Sequence, residues 1–183
     1  MGKPQDNRAI LTQLFLIGLD YKQERKGWVK IRQEIIKLIS TFFYVGYLPL
    51  IPGTFGSIAG LFLFFLIKNS IFNLIFFTSL LIILGFAATG EAENIFKKKD
   101  ASYIVIDEVN GMLLSLLFLP YDIKAVIIAF FIFRILDTLK PFPADRFQNL
   151  RGSLGIMGDD VVAGIYTNII LQVALRLASF KAS

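Results

Sequence analysis

The sequence has no cysteine and no histidine. Their absence excludes a thiolate nucleophile, a phosphohistidine route, an imidazole general base and a zinc site built from Cys and His. Charge is also sparse, at 18% of residues, against 55% hydrophobic residues and 19 Phe. A mean hydropathy of +0.65 lies outside the usual soluble range and points to the bilayer. No internal repeat or low-complexity tract is visible. The N-terminus does not read as a signal peptide. Its apolar patches at 9–19 are followed by Asp20, Lys22 and Glu24, without a small-residue cleavage pattern. Any chemistry must therefore use carboxylates, Lys and Arg, hydroxyls and backbone amides. Carboxylates without imidazole or thiolate favour a hard cation such as magnesium.

Length allows one domain. The predicted class is an all-α helical integral membrane protein, with about four to five membrane-embedded helices and an N-terminal amphipathic interfacial helix. The division expected is an interfacial segment over 1–45 and a membrane-embedded catalytic domain over 46–183. A short helix is expected over 6–19. Gly27 is expected to open a second, in which Trp28, Ile31, Ile35, Leu38 or Ile39, and Phe42 recur at helical spacing. Lys26, Lys30, Arg32 and Lys37 occupy its other faces, as in a helix lying on an anionic membrane surface. Packing against the rest of the domain is the alternative. Five apolar segments follow, over 54–67, 71–89, 105–119, 123–139 and 159–180. Several are shorter than the ~20 residues a span needs. The first, at about 14 residues, would reach ~21 Å. Either the helices start below a polar vestibule or some are re-entrant.

If these helices alternate in direction, five polar clusters meet on one side. They are Pro52-Gly53-Thr54-Phe55-Gly56-Ser57, Thr89-Gly90-Glu91, Asp107-Glu108-Val109-Asn110-Gly111, Arg134 with Asp137 and Lys140-Pro141-Phe142-Pro143, and Gly155-Ile156-Met157-Gly158-Asp159-Asp160. Of the 19 Lys and Arg residues, all but Lys68, Lys124, Arg176 and Lys181 fall on that side. The positive-inside rule then makes it cytoplasmic.

Charges at membrane depth cost at least ~2.5 kcal/mol each, so Asp107 and Glu108 call for a counter-ion. A plain helix cap is the alternative. Arg134 and Asp137, three apart, share a helix face. Lys140 is expected to be extended because Pro141 follows it. Arg134 and Lys140 suit phosphate oxygens, unless Arg134 forms only a structural pair. Asp159 and Asp160, after a flexible turn over 155–158, read as cation ligands rather than a simple cap. Gly53, Thr54, Gly56 and Ser57 could hold an anion at a helix start, though the Lys of a nucleotide loop is absent. The combined pattern fits phosphoryl transfer. Asp107, Glu108, Asp137, Asp159 and Asp160 are the candidate metal ligands, with Glu91 a possible addition. Asp107, Glu108, Asp137 and Asp160 are the candidate catalytic groups. Water activated by the metal, or an Asp side chain, would attack in line.

At these motifs the sequence resembles the phosphatidylglycerophosphatase A family. The matching stretches are the 52–57 turn, Ile104-Val105-Ile106-Asp107-Glu108 with Gly111-Met112, Phe133-Arg134 with Asp137 and the Lys140-Pro141-Phe142-Pro143 run, and Gly155-Ile156-Met157 with Asp159-Asp160 and Ala163-Gly164. The likeness covers roughly 46–175. Asn110 departs from the small or apolar residue usual in the family, and Ser153 replaces a second glycine. The resemblance implies a multi-pass enzyme of the bacterial inner membrane, its active site at the cytoplasmic face. It would use Mg2+ to convert phosphatidylglycerophosphate to phosphatidylglycerol and phosphate, with Asp107, Glu108, Arg134, Asp137, Lys140, Asp159 and Asp160 as its motif residues. Other phosphatase types acting on this lipid need His motifs or an Asp-x-Asp motif, and neither pattern is present. No nucleic-acid partner is expected. The alternative function is a small transporter or channel with an acidic cation site. It predicts polar residues along a path through the membrane, whereas the far half of each helix is apolar.

Overall fold

The computed structural model describes residues 7–182, with side chains described over 23–178 except Gln148. Among the described residues it is all-helical, with seven α-helices and no strand. They are α1 (Asn7–Ser40), α2 (Pro52–Ile67), α3 (Ile71–Phe96), α4 (Ile106–Ser115), α5 (Ile123–Leu139), α6 (Ala144–Gln148) and α7 (Ser153–Ala182). A 3₁₀ turn, Val45–Tyr47, precedes α2. The chain divides into two units, Met1–Ile35 and Ile36–Ser183.

The first unit is helical from Asn7 onward. Two separate helices were expected there. Instead α1 continues through Gly27, beside which there is only open space. A mid-helix glycine costs about 1 kcal/mol, too little to break so long a helix. Asp6, at the start of the expected first helix, and Lys3 lie outside the described residues, as do the side-chain faces of 7–22.

The second unit is built around α4. Val105, Ile106, Val109, Met112 and Leu113 are fully buried, and α2, α3, α5 and α7 all pack on this short helix. Small residues permit the close approach. A Cβ on Gly60 would sit 2.9 Å from the Val109 carbonyl oxygen. One on Gly164 would sit 2.6 Å from that of Gly111. The core continues through Phe64, Leu116, Phe133 and Met157. Outward faces are equally apolar, with Phe72 73% exposed and Phe62 66% exposed. Such surfaces do not suit water. Two helices, α3 and the Ser153–Ala178 stretch of α7, are long and apolar enough to cross a membrane.

Several boundaries differ from expectation. The fourth apolar segment matches α5 at both ends. Its start is marked by Asp122, whose Oδ1 accepts from the Lys124 N–H at 3.0 Å. By contrast, α4 ends at Ser115 rather than 119. Asn168 Nδ2 donates to the carbonyl oxygens of Ser115 and Leu117 at 3.2 and 2.7 Å, which satisfies the end of the helix. At α3 the helix continues seven residues past Thr89. At α7 it begins at Ser153, so the flexible turn expected over 155–158 is helical. Gly155 and Gly158 serve close packing there: added Cβ atoms would strike the Leu150 backbone and the Phe147 ring. The short α6 was not anticipated.

Candidate active site

Polar residues from α2, α4, α5 and α7 meet at one end of the second unit. The first turn of α2 brings Gly53 against the Glu108 carboxylate, leaving no space for a side chain. Gly56 packs on Val105 and the Glu108 Cβ in the same way. Ser57 is buried, donates to the Gly53 carbonyl at 3.1 Å and accepts from Arg134 Nη1 at 3.4 Å. Thr54 stands half-buried beside them. The α2 turn is thereby fitted to α4 and α5.

The opening of α4 supplies Asp107 and Glu108, and the second turn of α7 supplies Asp160. One oxygen from each lies within 4.8 Å of the others. Asp107 Oδ1, Glu108 Oε2 and Asp160 Oδ1 are buried without a hydrogen-bond partner. Burying like charges so close together is costly unless a cation compensates. Three converging carboxylates form a hard oxygen donor set of the kind that suits a divalent ion such as magnesium. The donor set and its unpartnered oxygens fit a metal ion.

Two ion pairs border this group. Arg134 Nη1 meets Asp137 Oδ2 at 2.6 Å, and the Lys140 ammonium pairs with Asp159 Oδ2. Asp137 is also within electrostatic reach of Glu108 and Asp160. Burial alone would lower the Lys140 pKa. The hydrogen bond and charge of Asp159, with Asp160 and Asp100 beyond, outweigh that and hold it above the ordinary lysine value. Lys140 is not extended, as its following proline suggested. It adopts the left-handed conformation (φ 47°, ψ 61°) and caps α5 by donating its N–H to the Leu136 carbonyl. Satisfying that carbonyl aligns the side chain with Asp159.

So Asp107, Glu108 and Asp160 share one point, while Asp137 and Asp159 are each engaged by a cation beside it. Glu91, half-buried on α3, lies outside the three-carboxylate group. Nearby, the Gly90 N–H donates to Ser153 Oγ at 2.9 Å, which fixes α3 to the start of α7. Two residues were given no role from the sequence. Asp100, after α3, acts electrostatically on Asp107, Lys140 and Asp159 across the turn. It belongs to no motif, and nothing local marked it. Asn110 is fully buried with both amide atoms unpartnered, its Nδ2 near Gly85. Its polarity inside an apolar run was the available signal.

A family model for phosphatidylglycerophosphatase A matches residues 38–175. The chain belongs to the phosphatidylglycerophosphatase A family. Among its relatives is a phosphatidylglycerophosphatase A of Escherichia coli, 36% identical, covering 73% of this chain and 80% of the relative. That of Haemophilus influenzae is 35% identical, covering 74% and 86%. A Bacteroides thetaiotaomicron protein, provisionally named a phosphatidylinositol-3-phosphatase, is 36% identical over 75% of this chain and 91% of its own length. No solved structure matches the chain significantly. Every residue of the converging site lies inside the family match. Nearly all of α1 lies outside it.

Proposed function

We propose that the chain is a magnesium-dependent phosphatase that hydrolyses phosphatidylglycerophosphate to phosphatidylglycerol and inorganic phosphate. The observation that carries this reading is the trio of unpartnered carboxylate oxygens flanked by Arg134 and Lys140. Family membership and the names of the Escherichia coli and Haemophilus influenzae relatives support the lipid assignment. Asp107, Glu108 and Asp160 would hold the ion. When bound, magnesium supplies charge neutralisation and Lewis acidity at the phosphate.

The chain's own groups do the positioning. Arg134 and Lys140 are held by Asp137 and Asp159, poised to exchange a carboxylate for phosphate oxygens. Asp137, released by Arg134, is then placed to accept a proton. The first-turn N–H groups of α2, at Gly53 and Thr54, with the Ser57 hydroxyl, offer further anion contacts, whereas the Gly56 N–H lies past the first intrahelical bond, from Phe55 to the Ile51 carbonyl.

Two apolar helices and the exposed apolar faces around them support a multi-pass protein of about four to five embedded helices. The concentration of basic residues at the site end supports a cytoplasmic face in a bacterial inner membrane.

The test is phosphate release by the purified protein, with magnesium and with EDTA. Phosphatidylglycerophosphate is compared with phosphatidic acid and with phosphatidylinositol 3-phosphate. The last is included because of the Bacteroides relative's name. Release from the first lipid, stopped by EDTA, is expected. Preference for the inositide would reassign the substrate. Ion flux in proteoliposomes without phosphate release would move the chain to the transporter class.

A further inference from the structure

The part of α1 outside the family match supplies none of the site residues named above, yet its described surface is strongly two-faced. At 3.6 residues per turn, Trp28, Ile31 and Ile35 form one stripe. All three are exposed, at 70%, 52% and 51%. Lys26 and Lys30 lie on the opposite side of the helix and are also exposed, with Lys37 two turns further along the same face. Arg25 and Arg32 flank the apolar stripe, where their stems can lie along it while their charges reach outward. Over 23–37 there are five basic residues against two acidic ones, Glu24 and Glu34.

Exposed Trp and Ile opposite a lysine face is an unfavourable surface in water. At a bilayer surface both halves are satisfied: the stripe enters the acyl boundary and the lysines meet headgroup charge. Charge selects the surface, because each Lys or Arg near an anionic leaflet is drawn to its negative surface potential. A second copy of the chain would cover the apolar stripe but would leave the lysine face, on the far side of the helix, without an anionic partner.

We infer that α1 over 23–37 is an interfacial helix that docks on anionic phospholipid, with Trp28 as its apolar anchor. This surface shares no residue with the carboxylate site and does not depend on the proposed reaction.

Trp28 is the sole tryptophan of the chain, so the native protein carries its own reporter. The full chain is reconstituted in phosphatidylcholine vesicles with or without phosphatidylserine, and Trp28 fluorescence is read at low and high salt. In the serine-lipid vesicles the emission is expected to shift to the blue. Bromine-labelled lipid should quench it several-fold more strongly than in phosphatidylcholine alone. High salt, or Lys26→Gln with Lys30→Gln, should remove most of that difference. Equal quenching in both lipids overturns selection for anionic lipid. A blue shift that grows with protein density, without lipid quenching, overturns the lipid surface in favour of a second copy. No readout requires turnover, so failure here is distinguishable from failure of the phosphatase reading.

Discussion

At the scale of single residues, the site balances binding against stability. Asp160 is buried beside Asp107 and Glu108 with an oxygen that no protein donor satisfies. Replacing it by Asn relieves repulsion and removes one oxygen of the proposed ligand set. Asp160→Asn is expected to reduce phosphate release about 100-fold or more. Its melting temperature without metal should be equal to or above that of the parent. Magnesium in hundred-fold excess over its Kd should stabilise the parent by about 2.7 kcal/mol and the variant by much less. A thermal melt with and without magnesium measures this directly, and equal stabilisation of both would remove Asp160 from the ligand set. At Lys140 the sign differs. A folded pKa above the unfolded value means that its pairing with Asp159 is fully present below the ordinary lysine pKa. That contribution is lost only as pH rises through the higher folded value. Between about pH 6 and 9 Lys140 therefore stays charged. Lys140→Gln should lower phosphate release about ten-fold or more, the worth of one charge-assisted hydrogen bond. The loss should be uniform across that pH range, and a loss confined to one limb of the profile would contradict it.

At the scale of elements, helix contact depends on residues that carry no chemistry. Gly111 faces the Phe133 ring, where an added Cβ would come within 2.5 Å, and the Asp160 carbonyl at 2.9 Å. Gly111→Ala must push α4 away from α5 and α7 and so disturb the spacing of Asp107 and Asp160. A cost of about 1–3 kcal/mol and a marked loss of activity are expected. Gly27→Ala is the control. It lies on an exposed stretch of helix with nothing within 4 Å. It should raise stability by about 0.5–1 kcal/mol and leave activity unchanged. Denaturation of both variants in the same detergent checks the contrast. The same logic explains which helix ends were legible. The bounds of α5 follow from local signals, a capping Asp122 and a proline after Lys140. Those of α3 and α7 do not, because Gly90, Gly155 and Gly158 read locally as breakers. In the fold they are tolerated, each lying where another segment comes too close for a side chain.

At the scale of the whole molecule, the proposed orientation has a direct test. A crossing α3 puts Asn69 and Lys98 on opposite sides of the membrane. The absence of native cysteine makes single-cysteine reporters clean. In intact cells, a membrane-impermeant maleimide should label Asn69→Cys. It should label Lys98→Cys only after permeabilisation. The reverse pattern would place the carboxylate site on the outer face. It would also leave the site unable to meet a lipid phosphate presented from the cytoplasm.

Composition and spacing by themselves determined the helical class, the apolar character that suits a membrane and the chemistry open to a chain without His or Cys. They also located Asp107, Glu108, Arg134, Asp137, Lys140, Asp159 and Asp160, because charge inside an apolar pattern is costly enough to stand out. Which partner each of those seven residues meets was decided only in three dimensions. Asp159 and Asp160 are sequence neighbours, yet one meets Lys140 and the other joins Asp107 and Glu108. Successive residues on a helix project about 100° apart, so which neighbour each one meets depends on how α7 is rotated against α4 and α5. That rotation is set by glycine contacts between residues distant in the chain, such as Gly111 with Gly164, and not by local pattern.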